Sequence, residues 1–200
     1  MSLDGYITGP GDNVEQPLGE GGERLHQWIY GLEAWRERHG LEGGTSDEDG
    51  AIFDEAFRDT RAVVMGRRMF DVGDPHWGDE PPFRVPVFVV THDAHETVLK
   101  QGGTSYTFVT DGIESALAQA RQAAGDGNVS VSGGANIVGQ FLAAALLDEI
   151  QIHIVPVLLG GGVRLFEGIG GEAISLEQAR VVASPTVTHL KFRVARTSGP

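Results

Sequence analysis

The sequence predicts an α/β protein built on a mostly parallel sheet with an antiparallel hairpin at its C-terminal end. Three observations carry that expectation. Strand-like and helix-like stretches alternate from Pro86 to Leu146. Asn128–Ser132 alternates apolar and small polar residues, Gly133-Gly134 breaks the pattern, and Val138, Phe141, Leu142, Ala145 and Leu146 then recur at helical spacing. Finally, Arg180–Ala183 and Val187–Ala195 flank Ser184-Pro185 as a hairpin would. Alternation followed by a hairpin implies parallel βαβ units with an antiparallel edge.

Size and composition set the limits. Two hundred residues, 40% of them apolar, can bury one core, so a single domain over residues 1–200 is expected. Fifteen basic against 28 acidic residues give a net charge of −13, which disfavours nucleic acid or an anionic membrane as partner. Zero cysteines exclude disulfides and thiolate metal sites. Seven histidines are scattered without His-x-x-x-His spacing, so no metal is expected. With no apolar run of about 18 residues and no signal-peptide pattern at Met1, the expectation is a soluble, cytoplasmic protein.

Taken in order, Ser2–Thr8 reads as a short strand interrupted by Asp4-Gly5, followed by a glycine- and acid-rich loop over Gly9–Gly22. A loop of that length in a compact domain is usually functional or mobile. Leu25, Trp28, Ile29, Leu32 and Trp35 mark one apolar face of a helix ending near Gly40, with the tryptophans as core or subunit contacts. Leu41–Asp49 is a polar insertion that, with the Gly9–Gly22 loop, could serve as a lid. Gly50–Asp59 is a second helix with Ile52, Phe53, Ala56 and Phe57 inward. Ala62–Met65 is a continuous apolar run suited to a buried strand, and Gly66 then delivers Arg67 and Arg68. Arginine's planar fork suits phosphate; the competing reading pairs these two with Asp71 or Asp74. Asp74–Pro82 reads as a loop, Pro86–Thr91 and Ser105–Thr110 as strands, and Asp111 as the cap of a helix burying Ile113, Ala116, Leu117 and Ala120. Asp148–Val155 is a further strand and Gly160-Gly161-Gly162 a turn.

Ligands of parallel sheets sit beyond the carboxyl ends of the strands. Gly66-Arg67-Arg68, Thr91-His92 and Gly133-Gly134 all fall there. A strand, two glycines and a helix start can seat a phosphate, because first-turn amides carry partial positive charge and glycine admits close approach. The other reading is a tight turn that needs glycine only for its dihedrals.

Ser2-Leu3-Asp4-Gly5, Val64-Met65-Gly66-Arg67-Arg68, Val90-Thr91, Gly133-Gly134-Ala135-Asn136, Asp148-Glu149 and Pro156-Val157-Leu158-Leu159-Gly160 occur in an order that spans almost the whole chain. In these the chain resembles the dihydrofolate reductase-like family. Its likeness is closest to the reductase domain of the bifunctional riboflavin-pathway deaminase/reductase and its stand-alone bacterial relatives. The resemblance implies a three-layer fold with an eight-stranded sheet, a homodimer, and NADPH as cofactor. By it, Met65, Gly66, Arg67, Arg68, Thr91 and His92 meet the adenosine phosphates, and Gly133, Gly134, Ala135, Asn136 and Ile137 hold the pyrophosphate, with a cis Gly133–Gly134 peptide. Three departures stand out. The family's first strand precedes Ser-Leu-Asp-Gly, so here it is truncated or the start lies further upstream. Ser132 replaces the glutamate that holds the pyrimidine, and Met69 replaces a threonine at the phosphate site.

The chemistry so implied is hydride transfer from NADPH to a small heterocyclic or carbonyl substrate, by family default the ribosylaminouracil of riboflavin biosynthesis. Asp4 is the candidate catalytic residue, orienting substrate or a proton-relaying water; the alternative is a turn residue bonding its own backbone. His26, Trp77, Pro156 and Leu159 are candidates for the substrate side. The competing functions are a true dihydrofolate reductase and a non-catalytic NADP-binding sensor.

Overall fold

The computed structural model describes residues 1–170 and 173–195. Its central sheet holds β2 (Thr60–Gly66), β3 (Pro86–Val90), β4 (Val98–Leu99), β5 (Ser105–Val109) and β6 (Asn128–Val131), in the order β4-β5-β3-β2-β6. All pairings are parallel except that of β4 on β5. The apolar run Ala62–Met65 has no polar face because both sides of the sheet are covered. Ala62, Val64 and Phe88 pack against α5 (Ile113–Ala124) and α6 (Ala135–Ala143). Val63, Met65, Val87 and Val89 pack with Tyr106 and with Met69, Phe70 and Trp77 of α4 (Arg67–Trp77). The result is the expected three layers, with mostly parallel strands between helices.

A second, antiparallel sheet holds β7 (Glu149–Ile154), β9 (Leu176–Ala183) and β10 (Thr188–Val194) in the order β7-β10-β9. The eight strands that the family resemblance implies in one sheet are thus divided five and three. A short ladder joins β1 (Tyr6–Thr8) to β8 (Val163–Arg164), and Ser2 bridges Val155 in parallel. Ile150 and Ile152 of β7 face Leu142 and Val138 of α6, so α6 serves both sheets.

Several local expectations are corrected. The helix read over Leu25–Trp35 is three pieces: a 3-10 turn at Gly22–Leu25, α1 (Gln27–Tyr30) and α2 (Glu33–Arg38). Leu32 is buried in extended conformation at the break, and the insertion supplies the missing partners. Thr45 N–H donates to the Gly31 carbonyl at 2.9 Å and its own carbonyl accepts from Glu33 N–H at 3.0 Å. The insertion ends earlier than read, because Asp47 caps α3 (Glu48–Arg58) by accepting from Gly50 N–H. In α3, Ile52 is buried but Ala56 faces solvent. Asp74–Trp77 is not loop; α4 runs through Pro75 to Trp77. The lost N–H is offset by packing, as the Trp77 ring fills the space over Gly73 and meets Phe83 edge-on at 4.9 Å. Asp111 does not cap α5: Gly112, at φ +88°, is the N-cap residue, which leaves Asp111 one position too far upstream. Among the described residues no helix is long and apolar enough to cross a membrane.

Candidate active site

Two helix starts meet at the carboxyl end of the parallel strands. β2 runs straight into α4 at Arg67, and β6 reaches α6 through Ser132, Gly133 and Gly134. The pairing of β2 with β6 continues past the strands: Ser132 N–H donates to the Val64 carbonyl at 3.0 Å, and Gly66 N–H to the Gly133 carbonyl at 2.9 Å. Neither helix has a side-chain cap, since Gly66 and Gly134 are the N-cap residues. Amides of two first turns therefore lack intrahelical partners side by side, where an anion is favoured.

The glycines are dictated by space. A Cβ on Gly66 would stand 2.8 Å from Ile137 Cγ1, and Gly133 has φ +113°. A Cβ on Gly134 would meet nothing within 4 Å, so the peptide faces open space. The Gly133–Gly134 peptide is cis, as the resemblance implies. Ile137 is buried against Gly66, Ala135 opens α6, and the Asn136 amide oxygen accepts from Gln140 at 2.7 Å. Met65 is fully buried in the core, so only its backbone reaches this edge.

The two arginines already hold partners. Arg67 Nε donates to Asp71 at 2.6 Å, one turn along α4, and its Nη1 lies 2.6 Å from His95 Nε2. The guanidinium also sits 5.8 Å from the centre of the Phe108 ring. Arg68 does not use Asp74, which pairs with Lys100 at 2.9 Å; it holds Asp12, in the Gly9–Gly22 loop, through the carboxylate at 2.8 Å and the carbonyl at 2.6 Å. His76 Nε2 reaches the Val14 carbonyl at 2.7 Å, a second tie from α4 to the same loop. Thr91 is buried with its hydroxyl accepting from Asp93 N–H, while His92 is exposed. Asp12 and His95 went unnoticed in the sequence, because no spacing links an acidic loop to an arginine 56 residues away.

Asp4 is engaged at the turn after β7. Its carboxylate accepts from Leu159 N–H at 3.1 Å and Gly160 N–H at 2.8 Å, fastening the turn after β7. The Ser2 hydroxyl and these amides hold its pKa down at about 2. Asp4 is thus ionised at neutral pH, and what it offers is charge and position rather than a proton. Arg164 donates to its carbonyl at 3.1 Å. Leu159 lies against Gly21, where a Cβ would be 3.7 Å away, so this turn and the Gly9–Gly22 loop adjoin. Pro156 is exposed on the same segment. His26 is held below its usual pKa chiefly by burial, and its Nδ1 has no partner among the described residues. Trp77 does not join this group; it ends α4 about 15 Å from Arg67 at 1.5 Å per residue.

A dinucleotide fits what is present. The uncapped amides at Gly134–Ile137 and the open space over Gly134 suit a pyrophosphate, and Arg67 and Arg68 suit further phosphate charge in a chain otherwise acidic.

Comparison with known proteins agrees with this geometry. Over residues 1–190 the chain matches the family model described as the RibD C-terminal domain. It is 35% identical over 150 residues to the uncharacterized protein YwjB of Bacillus subtilis (strain 168), covering 66% of this chain and 80% of that protein. Three solved structures share the fold. A putative riboflavin biosynthesis protein from Shewanella sp. PV-4 aligns with TM-score 0.69 at 24% identity, covering 98% and 96% of the two chains. A diaminohydroxyphosphoribosylaminopyrimidine deaminase/5-amino-6-(5-phosphoribosylamino)uracil reductase from Thermotoga maritima aligns with TM-score 0.61 at 15% identity, covering 97% of this chain and 54% of that one. A dihydrofolate reductase from Enterococcus faecalis, complexed with NADP(H), aligns with TM-score 0.50 at 13% identity, over 77% and 86%. With two uncapped helix starts joined at the sheet edge and a family match over nearly its whole length, the chain belongs to the RibD C-terminal domain family.

Proposed function

We propose that this chain is an oxidoreductase of the pyrimidine-reductase kind that uses NADPH to reduce a small heterocyclic substrate. The observation that carries the reading is the junction of the α4 and α6 starts through the Gly66–Gly133 hydrogen bond, with Arg67 and Arg68 in the first turn of α4. Family membership, and the NADP(H) held by the dihydrofolate reductase of the same fold, support it. Amides at Gly134–Ile137 would take the pyrophosphate. Arg67, Arg68, Thr91 and His92 would take the adenosine side, where a 2′-phosphate adds charge for a guanidinium to read.

When bound, the cofactor supplies a hydride; the rest is positioning by the chain. Asp4 holds the Leu159–Gly160 turn and places a negative charge beside it. A ribosylaminouracil is the substrate that the family name suggests, and Ser132 then lacks the charge a glutamate would give its pyrimidine. A homodimer would draw on exposed apolar residues of β9, Leu176 and Val181.

The test is a titration of cofactor-stripped protein with NADPH and NADH, followed by nicotinamide fluorescence. Micromolar NADPH binding, weaker NADH binding and at least tenfold loss in Arg67→Ala and Arg68→Ala support the reading. Absence of binding by either nucleotide removes it.

A further inference from the structure

Arg67 is held by several groups at once, and one of them, His95, has no part in the cofactor reading above. A guanidinium has five N–H donors and no acceptor. Nε gives one to Asp71 at 2.6 Å, and Nη1 lies 2.6 Å from His95 Nε2 and 3.5 Å from the Thr91 hydroxyl. Nη2 has no partner among the described residues. Because arginine only donates, His95 Nε2 accepts, and a neutral ring then carries its proton on Nδ1.

The holding groups come from different elements. Asp71 is one turn along α4, whereas Thr91 and His95 follow β3, which lies between β2 and β5. Thr91 is buried; its N–H donates to the Val109 carbonyl at 3.0 Å and its hydroxyl accepts from Asp93 N–H at 3.1 Å. The segment that carries His95 therefore starts from a fixed point. Phe108 of β5 backs both partners, its ring centre 5.0 Å from that of His95 and 5.8 Å from the Arg67 guanidinium carbon.

Each contact removes a different freedom. Asp71 alone would make an exposed ion pair with Arg67, and such pairs hold a long, rotamer-rich side chain poorly. A single hydrogen bond at Nε also leaves the guanidinium plane free to turn about it. A second at Nη1, from a ring packed against Phe108, sets that plane. The ordering that an arriving phosphate would otherwise have to impose is already done, and the two N–H groups of Nη2 stay unspent.

We propose that His95 is a positioning residue for cofactor choice: by fixing the plane of Arg67 it sets the preference for a nicotinamide dinucleotide that carries a 2′-phosphate over one that does not. The inference rests on the NADPH reading and deepens it by naming the residue behind the choice. A dinucleotide without the 2′-phosphate draws less on Arg67, so its affinity depends little on His95.

The experiment compares the full wild-type chain with His95→Ala and His95→Gln, substitutions at an exposed position that leave the core intact. Glutamine offers Arg67 an amide oxygen where the imidazole offers Nε2. In nicotinamide-fluorescence titrations, His95→Ala is expected to weaken NADPH about fivefold, the size set by freeing one long side chain, and NADH less than about twofold. His95→Gln is expected to recover most of that loss. Without any cofactor, the Arg67 Nε–H resonance, assigned by its absence from Arg67→Lys, is expected to exchange with water faster in His95→Ala and at the wild-type rate in His95→Gln. An unchanged NADPH preference or unchanged Nε–H exchange in His95→Ala, or His95→Gln no better than His95→Ala, overturns the inference. So does a wild type that binds both nucleotides alike. Binding of neither nucleotide by the wild type overturns the reductase reading itself, and this inference with it.

Discussion

Acid should weaken this protein through His153 in a way that one substitution isolates. The pKa of His153 falls from 6.5 to about 4 on folding, with burial as the first cause and His189 the second. A depressed histidine pKa means that the unfolded chain binds the proton more tightly. The corresponding stability is present above pH 6.5 and is lost as pH falls towards 4. Two and a half units correspond to about 3 kcal/mol in all, of which about 2 kcal/mol is gone by pH 4.5. Asp4 and Glu55, both held below the usual carboxylate range, also lose their stabilisation as pH falls, but equally with and without His153. His26 acts within it in the same direction, but equally with and without His153. The assay is urea denaturation at pH 7, 6, 5 and 4.5 for the wild type and His153→Phe. The wild type is expected to lose about 2 kcal/mol more than the variant over that range. Parallel curves for the two proteins would refute the reasoning, whatever the absolute stability of either.

Four further outcomes are expected. Gly66→Ala forces its methyl against Ile137 Cγ1, 2.8 Å away, and should cost about 1–3 kcal/mol in denaturant melts while weakening NADPH at least tenfold in fluorescence titration. Asp12→Asn breaks an exposed ion pair with Arg68 and should change stability by less than about 1 kcal/mol, yet speed hydrogen exchange of the Gly9–Gly22 amides. Asp4→Asn turns an amide NH2 or a single oxygen towards the N–H groups of Leu159 and Gly160. It should lower kcat/KM in steady-state assays with a competent substrate while leaving NADPH affinity within twofold. Arg67→Lys keeps the charge but not the fork, and should retain the Asp71 pair while losing preference for NADPH over NADH in competition titrations.

What could be read from the sequence was what periodicity and turn chemistry encode. Ala62–Met65 is apolar because two layers cover it, and the break at Gly133-Gly134 is local, so both were found in the right place. The helix read over Leu25–Trp35 failed for the opposite reason: a distant residue, Thr45, took over its backbone bonds at Gly31 and Glu33. Trp77 reads as a loop residue because the Pro81-Pro82 pair follows it, yet its contact with Phe83 carries α4 past Pro75. The junction of the α4 and α6 starts was readable since each half is a contiguous motif. The hydrogen-bonded chain Asp49–His189–His153 was not, since α3, β10 and β7 supply one residue each and no composition signal links positions up to 140 apart.

If a cofactor phosphate binds at Arg68 as proposed, the Asp12–Arg68 pair makes its capture an exchange rather than an addition. A phosphate that reaches Arg68 must displace a carboxylate already seated there at 2.8 Å, so little new charge pairing is gained. What changes is the freedom of the loop, which loses one of its two ties to α4 and keeps only that of His76 to Val14. Calorimetry should therefore show the contribution at Arg68 carried by entropy more than by enthalpy. The released loop borders the turn that Asp4 holds, so cofactor would enter first and substrate second, with kinetics of a compulsory order.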